Sequence, residues 1–168
     1  MKKCCYFFSP RALIYGGVCG GFCFISRSLL GSPLEMLHLT EEINLLPSYW
    51  FFNLLSVFAC FLMGMGFGWI IDCVVRGHNS GAKEIFAYRG ALCLSFAFFL
   101  FLLWFPVLFY AKRLFVSFVV SILATICSLA CAVEWSRLAP TRASLVIYAD
   151  TVWLFYIMLV SLSVWWGS

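Results

Sequence analysis

Long apolar runs separated by short charged segments make up almost the whole chain. The clearest run, residues 91–111, reads ALCLSFAFFLFLLWFPVLFYA and lies between Arg89 and Lys112 without a charged residue. As a helix it is about 31 Å long, close to the roughly 30 Å thickness of a bilayer's hydrocarbon core. Because a helix satisfies its own backbone hydrogen bonds, such a segment needs no protein cover in lipid. The run therefore predicts a membrane-spanning helix.

Four further runs predict the same structure. Together they give spans at about 12–30, 47–71, 90–111, 114–133 and 143–166. The predicted fold class is an all-α membrane protein, a five-transmembrane-helix bundle in which residues 1–168 form a single transmembrane domain.

The first span gives the weakest signal. Arg27 interrupts it near its end, and the basic residues Lys2, Lys3 and Arg11 before an apolar run also suit a signal peptide. The sequence Ser-Arg-Ser around Arg27 is a poor cleavage site, which favours a retained span. In that case we expect the Arg27 side chain to extend to the membrane interface.

Composition and charge agree with a protein that has little mass outside the lipid. Of 168 residues, 64% are hydrophobic and 11% charged, whereas soluble domains are about 25% charged. The net charge of +4 lies in short loops, where basic residues set orientation and do not indicate nucleic-acid binding. An inside N-terminus and an outside C-terminus are favoured by the basic residues that then lie inside: Lys2, Lys3, Arg11, Arg76, Lys83, Arg89, Arg137 and Arg142.

No pattern typical of a soluble enzyme is present, since the chain lacks GxGxxG, P-loop, HExxH and GxSxG sequences. We therefore expect no catalytic residues. Two cysteine pairs, Cys19/Cys23 and Cys127/Cys131, have i,i+4 spacing, but both histidines lie in loops. Cysteines in apolar runs usually act as small hydrophobic residues, so packing is predicted and no metal site.

Glycines are concentrated in the first two spans. Their spacing includes two overlapping GxxxG pairs, which allow another helix to approach closely. Such faces could serve a homodimer or a partner helix. The residues are Gly16, Gly17, Gly20 and Gly21 in the first span and Gly64, Gly66 and Gly68 in the second.

One acidic residue, Asp150, lies about two turns inside the fifth span. A carboxylate at membrane depth is a functional candidate by default. The alternative is that the span starts later and that Asp150 lies near the headgroups. Asp72 and Glu134 stand at span ends, where solvation at the interface is predicted.

Tryptophans fall into two groups by depth. Trp135, Trp165 and Trp166 lie at span ends and are predicted to anchor the protein at the interface. Trp104 and Trp153 lie further from the ends. They either face lipid and neighbouring helices or line a pocket for an apolar ring compound.

Short sequence matches to a known family begin in the second span. Pro47, Trp50 and Phe52 precede the run Leu-Met-Gly at 62–64. This order resembles the proline-tryptophan entry and the later LMG of the TspO/MBR family, the tryptophan-rich sensory or translocator proteins. The resemblance extends over most of the chain from Leu46 onward.

The third and fifth spans carry further matches. Trp104 with Leu-Phe at 108–109 is similar to the family's W-S-x-x-F-F segment, and Trp153, Tyr156 and Val160 are similar to its fifth-span pattern. The chain also departs from the family. The family's asparagine before the third-span tryptophan, its following serine, its fifth-span tyrosine and its terminal asparagine are replaced by Phe101, Phe105, Asp150 and Ser161.

The resemblance implies a five-helix bundle whose pocket opens near the first loop and binds porphyrins, haem-type tetrapyrroles or sterol-like compounds. By position, it makes Trp50, Trp104 and Trp153 the main pocket residues. Together with the carboxylate at membrane depth, the candidate ligand-binding residues are Trp50, Trp104, Trp153, Tyr49, Phe52 and Asp150.

The function expected from these features is that of a receptor, sensor or transporter for a porphyrin or another hydrophobic ring compound. We expect no enzyme activity, no cofactor other than such a porphyrin or haem-type ligand, and membrane lipids as partners. The expected location is the bacterial cytoplasmic membrane, as a multi-pass protein. Three alternatives stay open: a structural or assembly subunit without a ligand, breakdown of a bound porphyrin, and proton-coupled transport through Asp150.

Overall fold

Five helices make up the part of the chain that this computed structural model describes, residues 9–30, 49–75, 81–109, 111–138 and 141–167. No strand occurs within those ranges. The all-α membrane fold class is therefore confirmed. The helices are α1 (Pro10–Leu30), α2 (Tyr49–Val75), α3 (Gly81–Phe109), α4 (Leu114–Ser136) and α5 (Thr141–Gly167).

Four of these helices, α2 to α5, are long and apolar enough to cross a membrane. Helix α1 has 21 residues but is less apolar, because its glycines and Arg27 replace aliphatic side chains. The exact span limits, and the crossing by α1, stay predictions. Pro47, which was expected to begin the second span, lies outside the described residues.

Helix α3 starts earlier than the apolar run that predicted it. It begins at Gly81 and takes in the exposed residues Glu84 and Arg89 before residue 91. Charged residues of this kind have good helix propensity, so the helix continues where the apolar pattern has ended. The predicted span at 90–111 therefore lies within a longer helix.

Helices α1 and α2 pack at very short range through glycine. A Cβ atom on Gly64 would overlap the carbonyl group of Tyr15, and one on Gly68 would lie 2.5 Å from the Cα atom of Ala12. Both contacts are with backbone, which cannot move aside like a flexible side chain. The close approach predicted from the glycine spacing thus occurs within the chain.

The two GxxxG pairs of α1 have different surroundings. Gly16 and Gly20 face Phe61 of α2, whereas a Cβ atom added to Gly17 or Gly21 would meet nothing within 4 Å in the described parts of the chain. One pair therefore contributes to packing inside the bundle. The other pair remains open to a partner, and the homodimer stays a prediction.

A tight turn joins α3 to α4, as the short charged segment between the two spans predicted. Lys112 adopts a left-handed backbone conformation with φ of 48°. The Arg113 N–H donates to the Val107 carbonyl at 3.2 Å, which closes the turn. Helix α4 then packs against α3 on one side and α5 on the other, and α5 also packs on α2.

Trp135 lies in the core, so its prediction as an interfacial anchor is wrong. Its side chain is 0% exposed, and its indole N–H donates to the Ala87 carbonyl at 3.4 Å. A Cβ atom on Gly90 would overlap the indole nitrogen. The last turn of α4 packs against α3, where the small residues Ala87 and Gly90 leave room for the ring.

Asp72 is also less accessible than its place near a span end suggested. Its side chain accepts a hydrogen bond from the Ser9 hydroxyl and forms an ion pair with Arg11 at 3.2 Å. The residue is 8% exposed, so the prediction of a solvated carboxylate is wrong. These contacts join the start of α1 to the last turns of α2.

Candidate functional site

Aromatic side chains from three helices meet inside the bundle. The ring centroid of Phe52 lies 6.3 Å from that of Trp104 and 5.5 Å from that of Trp153. Phe105 packs edge-on to Trp104 at 5.6 Å, and Tyr156 stacks on Trp153 at 5.3 Å. We refer to these five residues as the aromatic cluster.

The residues of the cluster come from different points along three helices. Phe52 lies in the first turn of α2, Trp104 lies towards the end of α3, and Trp153 lies in the middle of α5. Phe52 and Trp104 are fully buried, whereas Trp153 and Tyr156 are half-buried. The cluster thus has a buried base on α2 and α3 and a more open edge on α5.

A hydrogen bond fixes the orientation of Trp104. Its indole N–H donates to the Ser161 hydroxyl oxygen at 2.8 Å, and that hydroxyl donates to the Ile157 carbonyl at 2.9 Å. Both Trp104 and Ser161 are buried. Because each donor has an acceptor, the ring can be held deep in the bundle without an unsatisfied polar group.

Arg27 packs directly against the cluster from α1. Its guanidinium carbon lies 4.0 Å from the ring centroid of Phe105 and 5.1 Å from that of Phe52, and its Nη1 donates to Asn53 at 2.5 Å. The residue is 8% exposed, so the predicted extension to the interface is wrong. Cation–π contacts and the amide oxygen provide a partly polar environment within the protein.

Asp150 is buried rather than solvated near the headgroups. It is 1% exposed, and the Ser128 hydroxyl donates to its Oδ2 at 3.4 Å. Its Oδ1 has no hydrogen-bond partner among the described residues. The alternative of a carboxylate close to solvent is therefore wrong, and the carboxyl group lies inside the bundle.

The Trp153 indole nitrogen is a second polar atom of this kind. Nε1 is buried and has no hydrogen-bond partner in the part of the chain that the structure describes. Asp150 and Trp153 are three residues apart on α5, which places them on one face of the helix. An unpaired acceptor and an unpaired donor thus lie one turn apart beside the aromatic cluster.

Trp50 does not join the cluster, contrary to its prediction as a main pocket residue. It is 81% exposed. Two residues along a helix correspond to a rotation of about 200°, so Trp50 and Phe52 face opposite sides of α2. Phe52 takes the inward position. Tyr49 begins α2, but its side chain lies outside the described part of the structure.

The cysteines pack as small residues, with one contact that their spacing did not indicate. Cys23 of α1 and Cys60 of α2 are fully buried, and the Cys23 thiol donates to the Ser56 carbonyl of α2 at 3.9 Å. Cys19, the i,i+4 neighbour of Cys23, is not part of this contact. No group of three or more His, Cys, Asp or Glu side chains suited to a metal occurs among the described residues.

An open groove of 390 Å³ lies elsewhere, on the outer surface of α3. Its wall includes Phe67, Tyr88, Phe96 and Phe99, and none of the residues predicted for the ligand site. Most of this wall consists of exposed apolar side chains, as expected for a surface that faces lipid. The groove and the aromatic cluster are therefore separate features.

The sequence pattern of the TspO/MBR family matches residues 18–166. The chain belongs to the TspO/MBR family. With its apolar helices, this membership makes the protein an integral membrane protein. No curated protein and no solved structure matches the chain.

Two departures from the TspO/MBR pattern acquire a physical meaning in the structure. Ser161, which the sequence resemblance aligns with the family's terminal asparagine, is the hydrogen-bond acceptor for Trp104. Asp150, which the resemblance aligns with a tyrosine of the family, is an acidic group three residues before Trp153. Sequence reasoning identified both substitutions, but their partners became visible only with the helices packed.

Sequence reasoning missed the contribution of Arg27 to the surroundings of the cluster. The only signal was a basic residue near the end of an apolar run, which is more often an interfacial residue. Its burial depends on how closely α1 approaches α2, and that distance is set by glycines of the second helix such as Gly64, far from Arg27 in sequence.

Proposed function

We propose that this TspO/MBR protein binds a flat hydrophobic ring compound, of porphyrin or other tetrapyrrole type, against the aromatic cluster. The observation that supports this most is the meeting of Phe52, Trp104 and Trp153 from three different helices. Binding of this kind suits a receptor, sensor or transporter. No enzyme activity is proposed.

The composition of the cluster supports a ring-shaped ligand over a flexible chain. Aromatic side chains interact with other rings by offset stacking or edge-to-face contacts, each contributing about 0.5–1.5 kcal/mol beyond burial alone. The half-buried rings of Trp153 and Tyr156 form the edge at which such a ligand would make contact. Ser161 holds Trp104 behind them in a fixed orientation.

Spectroscopic titration tests this proposal. Protoporphyrin is added to the purified protein in nanodiscs, and the change in its absorbance is followed against empty nanodiscs. We expect saturable binding that is weakened about tenfold in a variant with both Phe52→Leu and Trp153→Leu, since two ring contacts are lost. Trp166→Leu is the matched control, because Trp166 is 83% exposed at the end of α5.

Absence of saturable binding to the folded wild-type protein would overturn the proposal. An affinity that is the same in the double variant as in Trp166→Leu would also contradict it. Thermal unfolding of each variant shows whether the protein is folded, and affinities are compared only among folded samples.

A second candidate function is that of a structural or assembly subunit. The observation that favours it is the outward position of Gly17 and Gly21 on α1, which offers a small-residue face to another helix. Crosslinking in lipid distinguishes the two functions. Specific capture of a partner that is lost in Gly17→Leu, in a protein that binds no protoporphyrin, would favour the subunit.

A further inference from the structure

We propose that Asp150 and Trp153 select, among ring compounds, those that carry a positively charged or N–H nitrogen. This inference rests on the proposed function, because it assumes that a ring occupies the aromatic cluster. It adds the polar chemistry of the ligand: a nitrogen donor directed at Asp150 and an acceptor directed at the Trp153 indole N–H.

The hydrogen bonds around Asp150 leave its carboxyl group poorly satisfied. The Thr151 hydroxyl donates to the Ile147 carbonyl at 2.8 Å, so the 2.8 Å bond between Ser128 and Thr151 uses the Ser128 proton. That same proton is the one shared with Asp150 Oδ2, at the longer distance of 3.4 Å. Oδ1 has no partner at all among the described residues.

Burial makes this arrangement costly unless another group completes it. A buried polar atom without a hydrogen bond is destabilising, and a buried charge without a partner is more so. Asp72, the other buried carboxylate in the described helices, has both Ser9 and Arg11. Asp150 has no ion-pair partner within the described residues, so a ligand that brings a donor would supply what Asp72 already has.

No positively charged group forms an ion pair with Asp150 in the part of the chain that the structure describes. Among the described residues, the buried thiols of Cys60 on α2 and Cys131 on α4 lie close enough to Asp150 to interact with it electrostatically. Arg27, the buried cation near the cluster, donates to Asn53 and lies over Phe105. A ligand nitrogen would therefore meet an acidic group without competing for it with an arginine.

The neighbouring rings favour the same type of ligand. A positive nitrogen near the faces of Trp153 and Phe52 gains cation–π attraction, which is strongest where water is excluded. A carboxylate on the same edge of the ring would face Asp150 and be repelled. The site thus discriminates by charge as well as by shape.

Three fluorescent probes with one ring system test the inference: pyrene, 1-pyrenemethylammonium and 1-pyreneacetate. Each is titrated into the protein in zwitterionic nanodiscs, and partition into empty nanodiscs is subtracted. Wild-type protein is expected to bind the ammonium probe about tenfold or more tightly than pyrene and the acetate more weakly than pyrene. In Asp150→Asn the ammonium and pyrene affinities become equal, whereas the matched control Asp72→Asn keeps the wild-type order.

The outcomes separate this inference from the proposed function. If none of the three probes binds saturably, ring binding itself is contradicted. If pyrene binds but wild-type protein shows no preference for the ammonium probe, the inference fails while the proposed function stands. The wild-type series gives this result even if Asp150→Asn does not fold. A preference retained in folded Asp150→Asn would likewise assign selection to other residues and overturn the inference.

Discussion

Two buried tryptophans have very different surroundings. Trp104 belongs to α3 and lies towards its end, whereas Trp135 belongs to α4 and packs against the first half of α3. Trp135 contacts Ala87 and Gly90, which lie about 21–25 Å along the helix axis from Trp104. Its neighbours there are small, and its N–H has an acceptor. Trp104 is equally buried and also has an acceptor, Ser161, but its neighbours are other aromatic rings.

The two ends of α3 differ in what surrounds each indole ring. The Trp135 ring fills the space beside Gly90 and Gly66, and a Cβ on Gly66 would lie 3.3 Å from the ring. Beside Trp104, the cluster has half-buried rings, and polar atoms of Asp150 and Trp153 have no hydrogen-bond partner among the described residues. Close packing with satisfied polar groups serves stability, whereas incomplete polar groups beside open rings are typical of a binding site.

The largest effect is expected at the closely packed end. In Gly90→Ala the added methyl group would overlap the Trp135 indole nitrogen, so the helices must shift. We expect the free energy of unfolding to fall by about 1–3 kcal/mol, as for other overpacked cores. Thermal unfolding in detergent measures this, with Gly17→Ala as the control, since its Cβ would meet nothing within 4 Å in the described structure. Equal stability of the two variants would contradict the account.

A smaller loss of stability is expected from Ser161→Ala. Removing the hydroxyl leaves the buried Trp104 N–H without its acceptor, which costs about 1 kcal/mol or somewhat more. The ring should also lose its fixed orientation, so protoporphyrin affinity should fall with stability. Ser163→Ala, whose hydroxyl donates to the Val160 carbonyl of its own helix, is the control. The interpretation fails if Ser161→Ala matches this control in both measurements.

Trp153→Leu is expected to separate binding from stability. Its half-buried ring contributes less to the core than Trp104 does, so unfolding should change little, whereas protoporphyrin affinity should fall about fivefold through the loss of one ring contact. Equilibrium titration and thermal unfolding of the same sample give both values. A large loss of stability at unchanged affinity would place Trp153 with Trp135 as a packing residue.

The smallest effect is expected at Trp50. Its side chain is 81% exposed and faces away from Phe52, so Trp50→Leu should change protoporphyrin affinity by less than about twofold. Titration beside Trp153→Leu measures the difference. A loss as large as that of Trp153→Leu would support the role that the sequence predicted for Trp50.

Much of this fold could be predicted because the membrane simplifies the pattern. Long apolar runs located α2 to α5, and the spacing of Gly64 and Gly68 indicated a close helix contact. Packing partners were less accessible to prediction. Whether Trp135 faces headgroups or α3 depends on Ala87 and Gly90, which lie far from it in sequence.

The candidate site was predictable in part for a similar reason. Trp104, Trp153 and Phe52 were identified from their order along three spans, and the structure brings them together. The same reasoning included Trp50, because motif position carries no information on which face of the helix a residue occupies. The unpaired atoms of Asp150 and Trp153 could not be foreseen, since pairing depends on every neighbouring helix.

Photocrosslinking tests most directly whether a ring compound binds at the aromatic cluster around Trp104 and not at the packed region around Trp135. A diazirine-bearing pyrene is bound to the protein in nanodiscs and irradiated, and the modified residues are identified by mass spectrometry with excess pyrene as competitor. The account predicts competable labelling at Phe52, Trp153 and Tyr156. Competable labelling around Trp135 and Gly90, or labelling confined to exposed lipid-facing side chains such as Phe99, would contradict it.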